Sequence, residues 1–145
     1  MTDSLARITI LSRAMAIASV SGLESLSIDV IASELGLSTE NIYALFGDRE
    51  TLQLHTLDAI VGIFEATIVK PALDETAPIK RLYRLCEGWF DIVEQRGLTR
   101  GCILYATINE YRTRLGFIGD RVNSYGLVEA IGSHHCRGPR CDGTR

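Results

Sequence analysis

The chain has 145 residues, 15 basic and 18 acidic side chains, a formal net charge of −3, 46% hydrophobic and 23% charged residues. That balance excludes wholesale disorder, and the length suits one ordinary domain or a small unit followed by a second helical part. The most apolar region, 57–69, is interrupted by Asp58, Gly62 and Glu65, and the opening MTDSLAR lacks a secretory pattern, so a cytoplasmic protein without a membrane span is expected.

Apolar residues recur at steps of three and four throughout, which predicts an all-α fold without strands or repeats. Leu5, Ile8, Leu11, Met15 and Ala18 place an amphipathic first helix near 4–20, stopped by Gly22. Ser27 is positioned to cap a second helix with Asp29 in its first turn and Ile28, Ile31, Ala32 and Leu35 inward; Gly36 ends it. Ser38 caps a third helix near 39–45, with Ile42 and either Leu45 or Phe46 inward. After Gly47, Asp48 caps a fourth helix whose stripe of Leu52, Leu57, Val61, Phe64 and Ile68 runs to Val69. Pro71 ends or bends it, and 71–78 reads as a linker.

A fifth helix starts near Pro78 and gathers Leu82, Cys86, Trp89, Phe90 and Val93 on one side. Gly97 separates it from a sixth, near 100–113, and Gly116 and Gly119 precede a weakly helical stretch over 120–131. The final segment, GSHHCRGPRCDGTR, has no apolar periodicity and is expected to be a disordered tail. The expected organisation is an N-terminal helical unit over 1–48, a longer helical region over 49–131, and the tail over 132–145.

Residues 27–52, SIDVIASELGLSTENIYALFGDRETL, carry the functional signal. A short helix, a glycine turn and a second short helix form the pattern of a helix-turn-helix, in which one helix crosses the phosphate backbone and the next enters the major groove. Ile31, Ala32, Leu37 and Ile42 would pack the pair, and Thr39, Glu40, Asn41, Tyr43 and Ala44 would face DNA.

On these residues the chain resembles the TetR family of bacterial transcriptional regulators. The resemblance rests on a first helix ending at Gly22, then SIDVIASELGLS, then NIYALFGDRETL with Phe46, Arg49, Glu50 and Leu52, and covers about residues 8–54. It implies an all-α protein with an N-terminal three-helix DNA-binding domain and a helical ligand-binding and dimerisation region. It also implies a homodimer that binds a palindromic double-stranded operator, commonly as a repressor, and responds to a small, apolar effector. By position, Ser27 and Ser38 would cap helices and touch phosphates, Thr39, Asn41 and Ala44 would lie on the base-facing surface, and Tyr43 and Arg49 would hold phosphates. Phe64, Cys86, Trp89, Phe90, Cys102, Tyr105 and Asn109 are candidates to line the effector pocket.

Charge works against this reading. Residues 1–55 hold three basic side chains, Arg7, Arg13 and Arg49, against seven acidic ones, a net of −4, and Glu40 lies on the DNA-facing helix. Counterion release by basic groups supplies most nonspecific affinity for DNA, so weak, strongly salt-sensitive binding by a single module is expected. Arg13 and Ala18 also depart from the small residue and the large aromatic usual in the family. The competing expectation is a helical interaction protein, or a truncated family remnant, without DNA-binding activity, because the region equivalent to the dimerising helices is replaced by a glycine-rich end.

Cys86 and Cys102 lie in apolar helical surroundings and are expected to be reduced core thiols. His134, His135, Cys136 and Cys141 have zinc-compatible donors but no finger spacing, so neither a metal nor another cofactor is expected. No nucleophile–base set and no phosphate-binding glycine loop is present, so catalysis is not expected.

Overall fold

Glycine and proline positions divide the chain into helices. The structure, a computed structural model, describes residues 3–95, 103–111 and 115–125. All regular structure among them is helical: α1 (Asp3–Ser21), a 3₁₀ turn (Leu23–Ser25), α2 (Ile28–Leu35), α3 (Thr39–Phe46), α4 (Arg49–Phe64), a π-helical turn (Glu65–Val69), α5 (Lys70–Leu73), α6 (Pro78–Gln95), α7 (Ile103–Tyr111) and α8 (Phe117–Ser124). The all-α fold read from periodicity is the fold adopted. Residues 126–145, with the expected tail, lie outside the described residues.

The link between α2 and α3 shows how sequence sets geometry. Gly36 takes the left-handed conformation at φ 64°, which an L side chain would resist. It lets the Leu37 N–H reach back to the Ala32 carbonyl at 2.9 Å, while the Gly36 N–H donates to Ser33. These two bonds form a Schellman closure that satisfies the end of α2 and reverses the chain in two residues. Ser38 then opens α3, its hydroxyl accepting from the Asn41 N–H at 3.3 Å. Asp48 opens α4 by accepting from the Thr51 N–H at 2.7 Å. Hydrogen bonds from the Thr51 N–H and hydroxyl and from the Glu50 N–H hold the Asp48 carboxyl below its ordinary range.

Helix α1 packs on α2, α3 and α4 through a face that is only partly the one expected. Ile10, Ala14 and Ala18 are buried, whereas Leu5 and Ile8 are exposed. The buried stripe runs at steps of four and is mostly alanine, which lets the neighbouring helices approach closely. Of the expected stripe, Ala18 is buried and Leu11 and Met15 are half-buried, while Ile10 and Ala14 take the core positions in place of Leu5 and Ile8. Ile31, Ile42, Leu52 and Leu57 complete the interior, each fully buried; burial of such a side chain stabilises by roughly 1.5–3 kcal/mol.

The run Arg49–Leu73 is continuous across the π turn and does not end at Pro71. Proline lacks the N–H that would bond the carbonyl four residues back, and inside an α-helix it costs about 3 kcal/mol. Here the turn before it is widened, with the Lys70 N–H bonding Glu65, five residues back, and Pro71 occupies the first turn of α5, where it is tolerated. By length and composition this run could cross a membrane, with a mean hydropathy of 1.3 over its most apolar window. Much of the apolar content is used internally: α4 packs on α1, α3 and the 3₁₀ turn, and Leu52, Leu57, Ile60 and Val61 are buried.

Helix α6 packs against the π turn and α5. The crossing is close at Gly88: a Cβ built there would sit 3.1 Å from the Thr67 carbonyl oxygen and 3.2 Å from the Ile68 Cα. The described residues up to Thr107 belong to one compact unit, within which α4 packs on α1. The second unit begins at Ile108 within α7 and includes buried Tyr111, Ile118 and Val122.

Candidate nucleic-acid interface and apolar groove

The outer face of α3 is open to solvent. Ile42 and Phe46 are buried beneath it, while Glu40, Asn41, Tyr43 and Ala44 are exposed and Thr39 is half-buried. Tyr43 leaves 50% of its surface in solvent. Ser38 is exposed beside the first turn of α3. Ser27 occupies the N-cap position of α2, its carbonyl accepting from the Ile31 N–H at 3.1 Å, but its hydroxyl makes no capping bond.

The arginines of this region make contacts within the chain. Arg49 Nε donates to the Leu26 carbonyl at 2.7 Å, and another of its guanidinium nitrogens donates to the Glu24 carbonyl. The Glu24 carboxylate lies 3.6 Å away. One helical turn on, the buried Gln53 donates from Nε2 to the Leu23 carbonyl at 2.9 Å. Arg49 and Gln53, four residues apart on one face of α4, thus satisfy three carbonyls in and beside the 3₁₀ turn and fix the entry to α2. Arg49 thereby clamps the 3₁₀ turn to α4, with two of its guanidinium donations committed to backbone carbonyls.

Arg7 donates to the Leu45 carbonyl at 2.6 Å and lies 4.7 Å from the centroid of the Phe46 ring, so it closes the C-terminal end of α3 onto α1. Arg13 of α1 hydrogen-bonds and ion-pairs with Glu34 of α2, which raises the Arg13 pKa and lowers that of Glu34. All three arginines of residues 3–55 are therefore engaged within the chain. A cation already bonded to a carbonyl or carboxylate releases fewer counterions on meeting DNA.

Glu40 folds back on its own helix. Its carboxylate accepts from its own N–H and from the Ser38 and Thr39 hydroxyls, which together lower its pKa. An internal anion thus occupies the positive start of α3, where a phosphate would otherwise be favoured.

A second feature lies in the same compact unit. A half-open cavity of about 430 Å³ is lined by Ser12, Met15, Ala16 and Ser19 of α1, Ile60, Ile63 and Phe64 of α4, Ile92 of α6, and Ile103 and Leu104 of α7. Its size and mostly apolar wall suit a small apolar molecule. Of the expected lining residues, Phe64 is present. Cys86, Trp89 and Phe90, on the outward face of α6, and Tyr105 of α7 are exposed and do not line this groove. Cys86 is accordingly not a core thiol. Asn109 belongs to the second unit and is exposed. Cys102, and the His134, His135, Cys136 and Cys141 group, lie outside the described residues. Among the described residues no cluster of three metal-ligating side chains occurs. Sequence reasoning missed Gln53 and the α1 wall of the groove; the small residues Ser12, Ala16 and Ser19 along one face of α1 were the available signal.

No protein-family model matches the chain, and no curated protein matches it either.

Proposed function

We propose that this chain is a cytoplasmic DNA-binding transcriptional regulator of the TetR type, acting as a homodimer on a palindromic operator. The observation that carries the reading is the α2–α3 pair. A two-residue glycine reversal joins helices of eight residues each, and the second is sealed inward by Ile42 and Phe46 and open outward at Asn41, Tyr43 and Ala44. Such a helix has the length and exposure needed to enter a major groove. Tyr43 is the first candidate to hold a phosphate and Asn41 to read a base edge.

An apolar effector would occupy the groove between α1 and α4. Both helices also pack on α3, so a molecule that favours a wider α1–α4 separation would favour one orientation of α3 over another. The proposed output is repression relieved or imposed by that shift.

A second reading has its own support. The engaged arginines and the Glu40 carboxylate at the start of α3 favour a helical interaction protein that does not bind DNA. Titrating the full chain against the DNA upstream of its own gene, with Tyr43→Ala as control, separates the two. Specific binding lost in the variant supports the regulator; no binding at low salt by a folded dimer supports the interaction protein.

A further inference from the structure

We draw no further inference here: the strongest candidate, the exposed apolar patch of Ile79, Leu82, Tyr83, Trp89 and Phe90 along α6, is an unpartnered surface, and nothing in the structure shows what covers it.

Discussion

Gly88→Ala tests whether the α6 crossing is as close as the geometry requires, and Gly62→Ala is its matched control. Both glycines are helical. A Cβ at Gly62 meets nothing within 4 Å, while one at Gly88 meets Thr67 O, Ile68 Cα and Ile68 Cγ1 at 3.1–3.2 Å. Carbon contacts are optimal near 3.5–4.0 Å, so the new methyl forces α6 away from the π turn by a few tenths of an ångström. Two of the three obstructing atoms are backbone and cannot rotate aside. Overpacking of this kind costs about 1–3 kcal/mol, against about 1 kcal/mol gained by replacing helical glycine with alanine. Gly62→Ala should therefore stabilise by about 0.5–1 kcal/mol and Gly88→Ala should destabilise by about 1 kcal/mol, a separation near 2 kcal/mol. Urea denaturation of the two variants beside the parent measures it. Equal stabilisation of both would refute the close crossing, and with it the outward orientation of the α6 apolar face.

Arg49→Ala should lower stability by about 1–2 kcal/mol in thermal denaturation, because it removes donors to the Leu26 and Glu24 carbonyls from a half-exposed side chain. Arg49→Lys should recover only part, since an ammonium cannot reproduce the guanidinium fork; full recovery would refute the clamp. Glu40→Gln should change two properties in opposite directions, with weaker folding at neutral pH and tighter DNA binding. The Glu40 pKa lies below its ordinary value near 4.5 in the folded chain, so its stabilisation is present above that value and is lost as pH falls through the lower folded pKa. The stability gap between parent and variant should close in that acidic window; a gap that persists below it contradicts the assignment. Ala16→Phe fills the groove from α1, so it should reduce binding of an apolar fluorescent probe while folding is retained, and unchanged probe binding would place the site elsewhere.

How much the sequence revealed depends on the kind of partner each residue has. Caps and stops were legible because they are local: Gly22, Gly36, Ser38, Gly47 and Asp48 each end or begin a helix within three or four residues of their partners. The α1 face was legible only in part: Ala18 is buried as the periodicity implied, but Ala14 weighs little in a count of large apolar residues, and Leu5 and Ile8 are exposed. The strong amphipathicity of α6 was visible, but periodicity gives a face and not the side it turns to. Gly88 decides that, by allowing an approach that a side chain would block. The arginine and glutamine clamp was hidden because its acceptors are backbone carbonyls more than twenty residues away, with no side-chain signature. The acidic charge of residues 1–55 was plain in the sequence; that its few cations are engaged internally required the structure.

The central claim is that α3 reads DNA with little help from free cations. Its most direct test is the affinity of the full chain for its upstream DNA as a function of salt, measured for the parent and Tyr43→Ala. The account predicts sequence-specific binding that the variant loses, with a slope of log affinity against log salt shallower than about −4, the value for roughly two neutralised phosphates per protomer in a dimer. Equal binding by Tyr43→Ala, a much steeper slope, or no binding at low salt by a folded dimer would contradict it.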